Sequence, residues 1–381
     1  MLCRVSGVAR HPTLSPRSRV LVAMSGGVDS AVAAARLCDE GHEVVGVTLH
    51  LWDYPAGTPE KSRCCAPEDA HDARLVASHL GIPHYTFDRR ELFAAEVVAP
   101  FVGAYLEGRT PSPCVSCNRS VKMRELFSLA ERLGALAVAT GHYARVRFED
   151  GLARLYRGRD ARKDQSYFLH TLEETDLRRL VLPLGESLKE EVRAEAVARG
   201  LPGADKGESQ ELCFVPTGKY DEFVEARAKD RVRPGPILDD AGRVLGHHAG
   251  VHRFTVGQRR GLGVALGEPA FVSAIDAESA TIVVGPAESA SSLVASLVAP
   301  TFAPDVAFPL RAEVRVRSQH AGAAAWLERR EGELVCRFDE PVRGVSPGQI
   351  AVAYVGERVV GGATIAEGRR SHAHAEEPAR P

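Results

Sequence analysis

Six consecutive residues, Ser25-Gly26-Gly27-Val28-Asp29-Ser30, combine two adjacent glycines with two hydroxyls and a carboxylate. Paired glycines let backbone N–H groups approach an anion without Cβ interference. Ser25 and Ser30 add hydroxyl donors, and Asp29 is the residue type that holds Mg²⁺ beside phosphates. This is polyphosphate chemistry, although the loop lacks the closing Lys-Ser/Thr pair of a Walker A loop. The second reactive group is a set of thiols. Cys114 and Cys117 stand in T-P-S-P-C-V-S-C-N, and Cys213 stands in the apolar run E-L-C-F-V. A cysteine close to a helix N-terminus has a lowered pKa, which makes it a better nucleophile and a better metal ligand. Taken alone, C-x-x-C is equally compatible with a structural metal site, and Cys213 with a core thiol.

These residues need elements to hold them. Arg19 to Ala23 is apolar and rich in β-branched residues, a buried strand; Ala31 to Cys38 is strong helix material stopped by Gly41. Strand, glycine loop and helix together aim free N–H groups at one point. The alternation continues. Strands are expected over Glu43–Leu51, His84–Phe87 and Ala135–Thr140. Helices are expected over Pro67–Leu80, Leu92–Leu106 with a kink or break at Pro100, Val121–Leu133 and Asp176–Arg199. Such alternation predicts an α/β fold, a parallel sheet with helices on both faces. Ligands of such sheets sit beyond the carboxyl ends of the strands, where the glycine loop, Leu49 and Gly141-His142 all fall. Arg145 to Arg157 reads as a hairpin turning at Glu149-Asp150-Gly151. Beyond about residue 207 short β-like runs with Gly/Pro punctuation take over. The expected division is a tail (1–17), a nucleotide domain (18–207), a small central β domain (208–290), a C-terminal β-barrel domain (297–366) and a second tail (367–381).

Composition narrows the field. A chain of 381 residues with 44% hydrophobic and 26% charged residues is a multidomain globular protein. It has no apolar run of about 18 residues, so no membrane span is expected. The first residues lack the apolar core of a signal peptide. Eight cysteines, including Cys64-Cys65, fit reactive or metal-binding thiols in a reducing cytoplasm better than a disulfide framework. With a net charge of −2, any nucleic-acid site must be a local basic patch. Arg119, Lys122 and Arg124 are candidates for phosphate contacts, and a solvated helix face explains them equally well.

The S-G-G-V-D-S loop resembles the phosphate loop (PP-loop) of the ATP pyrophosphatases, which have the adenine nucleotide α hydrolase-like fold. Five further stretches follow it: Thr110–Asn118, Ala139–Tyr143 (A-T-G-H-Y), Lys163–Leu169 (K-D-Q-S-Y-F-L), Glu208–Phe214 and Thr255–Gly263 (T-V-G-Q-R-R-G-L-G). In this order they resemble the tRNA-specific 2-thiouridylases, over about residues 18–365. The resemblance implies ATP-dependent conversion of the C2 carbonyl of a wobble uridine to a thiocarbonyl, releasing AMP and pyrophosphate. It implies an ATP site at Ala23, Met24, Ser25, Gly26, Gly27, Val28, Asp29, Ser30, Leu49 and Gly141, with Mg²⁺. It makes Cys117 the nucleophile and Cys213 the persulfide carrier, which pair as a disulfide during turnover. It places the target base at Ser112, Pro113 and Cys114. Further tRNA contacts are implied at His142, Lys163, Asp164, Gln165, Arg317, Ser318 and Gln349. The implied partners are tRNA and a sulfur donor such as a cysteine desulfurase or sulfur relay protein, and a monomer is compatible with all of this.

One departure matters. Many family members carry an aspartate, with acid/base work assigned to it, where this chain has Cys114. A thiolate could act as a base only with a lowered pKa. Alternatively Cys114, Cys117 and Cys213 would hold a 4Fe–4S cluster whose fourth iron carries a sulfide. Both routes stand open in the sequence. Two other readings compete: an ATP pyrophosphatase acting on a small substrate, and a non-catalytic RNA-binding or sulfur-carrier protein. The first has no need of Cys213 or a terminal β domain; the intact S-G-G-V-D-S speaks against the second.

Overall fold

The computed structural model describes residues 14–54, 67–204, 212–215, 218–264 and 267–369. Cys3, Cys64, Cys65, most of the Glu208–Phe214 stretch and most of both tails lie outside the described residues. The chain divides into two compact units. The first comprises residues 1–98, 114–220 and 357–359; the second comprises 99–113, 221–356 and 360–381.

In the first unit, β1 (Arg19–Ala23), α1 (Val28–Asp39), β2 (Glu43–His50), α2 (Pro67–Leu80) and β3 (His84–Asp88) alternate as expected. Then α3 (Arg90–Phe93) runs through a π-helical turn, Ala94–Val98, into α4 (Ala99–Leu106), which is counted with the second unit. Of the kink or break expected at Pro100, the chain shows no break at the proline itself; the irregularity is the π turn just before it. A proline ring clashes with the carbonyl four residues back, and the wider π turn just before it relieves that clash without ending the helix.

Next come α5 (Pro113–Ser116), a second π segment (Cys117–Met123), α6 (Arg124–Arg132) and β4 (Ala137–Ala139). The hairpin of β5 (Ala144–Glu149) and β6 (Leu152–Arg157) turns at Asp150 and Gly151, both with positive φ. This is the geometry that matches strand twist in a two-residue turn.

The single helix expected over Asp176–Arg199 is instead three elements: α7 (Glu174–Leu177), β7 (Leu180–Val181) and α8 (Lys189–Ala198). Pro183 and Gly185 interrupt the helical pattern. Gly185 also lies where a Cβ would come within 2.1 Å of the Ala144 carbonyl oxygen. The sheet order is β3-β2-β1-β4-β7, with every pairing parallel. The order reverses between β1 and β4, and a crevice opens at such a switch point. The core beneath it is built from Val20, Val22, the alanine-rich face of α1, and Val192 and Ala196 of α8.

The second unit adds α9 (Tyr220–Ala228, whose first residue is counted with the first unit) and a four-stranded sheet. That sheet is formed by β8 (Gly235–Asp239), β9 (Val244–His248), β10 (Phe271–Asp276) and β11 (Thr281–Gly285), in the order β10-β11-β8-β9. A barrel follows from β12 (Ser291–Phe302), β13 (Leu310–Arg315), β14 (Ala323–Arg330), β15 (Glu333–Arg343), β16 (Ile350–Val355) and β17 (Arg358–Arg369). Its strand order is β12-β15-β14-β13-β16-β17, and antiparallel pairing of β12 with β17 closes it. Closure removes the exposed edges that an open sheet would leave. Among the described residues no helix is long and apolar enough to cross a membrane.

Candidate active site

The glycine loop leaves β1 at the switch point. Met24 anchors it: its N–H donates to Val47 O at 2.8 Å, and its carbonyl accepts from Thr48 Oγ1 at 2.7 Å. Gly26 has φ +74°, and a Cβ there would lie 2.5 Å from the backbone oxygen of Asp69. Only glycine meets both conditions. Gly27 precedes α1 in an extended conformation, with no side-chain cap on the helix. The first N–H groups of α1 therefore remain available to an anion at the positive end of the helix dipole. The Ser30 hydroxyl, expected to face phosphate, is buried and donates to Gly27 O at 2.9 Å; the Ser25 N–H donates back to it at 3.2 Å. It acts as an internal brace of the loop.

Asp29 is gripped from two sides. Its Oδ1 accepts the Tyr143 hydroxyl at 2.8 Å and Lys189 Nζ at 2.6 Å. Neither partner was flagged by the sequence reading. Lys189 is the first residue of α8. That helix starts where it does because the Glu191 carboxylate accepts the Leu188 N–H (2.8 Å) and Asp160 accepts the Lys189 N–H (2.9 Å). Arg36 of α1 then ties α1 to α8 through Glu195 (2.7 Å), Ser187 (2.8 Å) and the Pro183 carbonyl (2.8 Å). A buried ammonium is thus delivered to the glycine loop by tertiary structure. Gly141 closes the other wall, where a Cβ would meet the backbone of Asp29 and Ser30 at 2.9 Å. Leu49 is buried near the end of β2.

The K-D-Q stretch is wired into the same wall. Gln165 Oε1 accepts the Tyr143 N–H at 3.0 Å, and the Gln165 N–H donates to Tyr143 O at 2.9 Å. Asp164 Oδ1 accepts the N–H groups of Gly158 and Ser166, both at 3.1 Å. Tyr143, held in this way, reaches Asp29. His142 pairs through Nδ1 with Thr140 Oγ1 at 2.8 Å. Desolvation, with Lys122 adding its charge, holds the His142 imidazole well below the usual histidine range. It is therefore a neutral hydrogen-bonding group at physiological pH.

Cys114 and Cys117 lie within helical segments. Cys114 is exposed in α5, while Cys117 is buried at the first position of the π segment. π turns in helices are frequent at functional sites. The next residue, Asn118, is buried, and its amide nitrogen points to Phe168 O at 3.5 Å. This sets the thiol helix against the Ser166–Leu169 turn of the K-D-Q-S-Y-F-L stretch.

Cys213 is part-exposed, and its carbonyl accepts the Tyr54 hydroxyl. The neighbouring Phe214 is buried edge-on against Phe93 (5.6 Å) and Trp52 (6.3 Å). Trp52 in turn lines an open cleft of about 820 Å³ with Asp53, Asp88, Arg89, Arg90 and Glu91, at the carboxyl ends of β2 and β3. Among the described residues no group of three or more His, Cys, Asp or Glu side chains is arranged to hold a metal ion. Cys114, Cys117 and Cys213 therefore do not present a ready three-thiolate cluster site.

In the second unit, Gln349 Nε2 donates to the carbonyls of Thr110 (3.2 Å) and Pro111 (3.3 Å), immediately before Ser112 and Pro113. Arg317 is exposed, with Nη1 on the Arg343 carbonyl at 3.3 Å, and Ser318 follows it.

Three family descriptions match the chain: the tRNA methyl transferase HUP domain over residues 18–217, the tRNA methyl transferase PRC-barrel domain over 221–286, and the aminomethyltransferase β-barrel domain over 299–365. A protein of Sorangium cellulosum named tRNA-specific 2-thiouridylase MnmA is 64% identical over 94% of this chain and 95% of its own length. One of the same name from Moorella thermoacetica is 47% identical over 91% and 98%. Among solved structures, a 4-thiouridine synthetase–RNA complex with bound ATP matches 56% of this chain and 51% of its own at 19% identity, with a TM-score of 0.36.

Proposed function

The chain belongs to the tRNA-specific 2-thiouridylases, and from that premise we propose how its own residues perform the reaction. The protein is an ATP-using tRNA sulfurtransferase that makes 2-thiouridine in tRNA. The observation that supports this chemistry best is the uncapped start of α1 beside an Asp29 already gripped by Lys189 and Tyr143.

A uridine C2 carbonyl is a poor electrophile, and its oxygen is a poor leaving group. Transfer of the adenylyl group of ATP to that oxygen releases pyrophosphate and makes the oxygen part of AMP. In our reading Ala23–Ser30 holds the phosphates, with Leu49 and Gly141 against the adenosine. The N–H groups of Gly27 to Ser30 and the Lys189 ammonium offset charge on the departing pyrophosphate. Mg²⁺ suits a loop that offers one partly exposed carboxylate, because it keeps several waters and takes its other ligands from phosphate; bound there, it would neutralise charge on the leaving group.

Sulfur comes from a persulfide on Cys213. Its terminal sulfur attacks C2, and AMP leaves with the former carbonyl oxygen. The Cys117 thiolate then attacks Cys213 Sγ, forming a Cys117–Cys213 disulfide and leaving the outer sulfur on C2 as the thiocarbonyl. Reduction of the disulfide and a sulfur donor, a desulfurase or relay protein, reset the pair. Among the described residues Cys114, Cys117 and Cys213 form no ready three-thiolate group, which supports the persulfide route over a 4Fe–4S cluster. Ser112, Pro113 and Cys114 meet the target base, which a tRNA loop can present splayed out of its stack. His142, Lys163, Asp164, Gln165, Arg317, Ser318 and Gln349 contact the tRNA. The thiol chemistry suits a reducing cytoplasm.

The test is tRNA-dependent exchange of pyrophosphate with ATP, together with mass analysis of the wobble nucleoside. We expect exchange only with tRNA present and a mass gain of one sulfur for oxygen. Exchange supported by a small substrate without tRNA would favour another ATP pyrophosphatase activity.

A further inference from the structure

Two sequence stretches that look unrelated converge on Thr110 within the second unit. The Thr110 N–H donates to Pro347 O at 2.8 Å, its hydroxyl donates to Thr255 Oγ1 at 3.1 Å, and its carbonyl accepts Gln349 Nε2 at 3.2 Å. Every polar group of a buried residue is thereby engaged. Gln349 reaches one residue further, to Pro111 O at 3.3 Å.

The two stretches that hold Thr110 are also locked to each other. Ser346 Oγ donates to Val256 O at 2.8 Å. Gly257, at φ +88°, leaves no room for a Cβ, which would lie 2.7 Å from Gly344 Cα. Gly348, also at φ +88°, admits the Thr110 backbone at the distance a Cβ would occupy, 3.0 Å from its oxygen. Main-chain pairing of Gly348 and Gln349 with Ile365 fixes the S-P-G-Q turn to β17.

We infer that Thr255 and Gln349 are positioning residues for the thiolation step: they clamp Thr110–Pro111, the rigid lead into Pro113 and the helix that carries Cys114 and Cys117. Only Ser112 and Pro113 separate the clamp from Cys114, and the proline ring fixes φ at one of them. Gln349 then has work independent of any RNA contact, because both of its amide hydrogens face the protein's own carbonyls. The inference rests on Cys117 being the nucleophile of the proposed reaction.

The experiment uses the full chain with Thr255→Val and Gln349→Met, which keep size and remove the polar group, and Thr255→Ser as the conservative rescue. Four quantities are read: kcat at saturating tRNA, tRNA affinity by filter binding, ATP affinity, and the rate of Cys117 alkylation by iodoacetamide without tRNA, mapped by mass spectrometry. Loss of one or two such hydrogen bonds should lower kcat on the order of tenfold. Both variants should also change the alkylation rate of Cys117, and Thr255→Ser should restore both readouts. ATP affinity in both variants, and tRNA affinity in Thr255→Val, should stay within about twofold, since a positioning role acts on the reacting geometry rather than on ground-state binding; in Gln349→Met the kcat loss at saturating tRNA should appear beside any loss of tRNA affinity. Wild-type kcat and alkylation in Thr255→Val overturn the clamp, as does a Gln349→Met effect confined to tRNA affinity. Absence of thiolation in the wild type would instead sink the functional reading itself.

Discussion

The phosphate loop and the thiol segments are built on opposite principles. Around Asp29 the groups are already in place: a lysine, a tyrosine, a braced serine and two glycines that tolerate no side chain. The thiols differ from one another. Cys114 is exposed, Cys117 is buried at the head of a π turn, and Cys213 is part-exposed beside an aromatic cluster. A site that stabilises developing charge gains from donors fixed before the reaction, because no reorganisation is then needed. A site that passes a sulfur atom between two cysteines must let them approach and separate. On this view adenylation is the preorganised half of the reaction and sulfur transfer the mobile half.

The sharpest way to break that division is Cys213→Ser. It should abolish thiolation, seen as no gain of sulfur in the wobble nucleoside, while tRNA-dependent pyrophosphate exchange continues. Loss of exchange as well would mean that the two halves are not separable. Next in size is the loop itself. Lys189→Met leaves Asp29 without its ammonium, and kcat/KM for ATP should fall about a hundredfold, as for loss of one preorganised charge-stabilising donor. Tyr143→Phe removes one hydrogen bond to a carboxylate, worth about 2 kcal/mol, and should cost about thirtyfold. Equal sensitivity of both variants to added sulfur donor would contradict a role confined to adenylation.

Cys114→Ala probes the other half. Cys114 is exposed and, among the described residues, no cluster site is formed; on the persulfide route it lines the base and carries no sulfur, so the variant should lose far less activity than Cys213→Ser. Anaerobically purified protein should contain no stoichiometric iron or sulfide. A severe loss accompanied by loss of iron would restore the cluster route.

The same contrast explains what could be read from the chain. Arg19 to Ala23, Gly26 and α1 declare themselves locally, because a strand, a positive-φ glycine and an alanine-rich helix are short-range properties. The alternation of elements then implies the parallel sheet. Lys189 was invisible because it meets Asp29 only after α8 docks on α1, far away in sequence. Its stretch also read as one long helix, since apolar periodicity does not register that Pro183 and Gly185 free Leu180–Val181 to join the sheet edge. The π turn at Cys117 carries no sequence signature; its residues have ordinary helix propensity. Gln349 and Thr255 were legible as motifs, but their common target at Thr110 exists only in three dimensions.

The smallest expected effect concerns pH and the scaffold under the thiol helix. His170 is buried, its Nδ1 pairs with Tyr167 O at 2.8 Å, and desolvation pushes its pKa down to about 4, with Arg119 adding to the effect. The folded state thus binds a proton less readily than the unfolded chain, whose histidine titrates near 6.5. Stability from the neutral ring is fully present above that value and is lost as pH falls from about 6.5 toward 4, by at most about 1.4 kcal/mol per pH unit. His170→Gln should flatten this part of the profile, read as a smaller drop in Tm between about pH 7 and pH 5 than in the wild type. An identical drop in both proteins would assign the acid sensitivity elsewhere, for example to the buried His252 of the second unit, whose pKa desolvation also lowers.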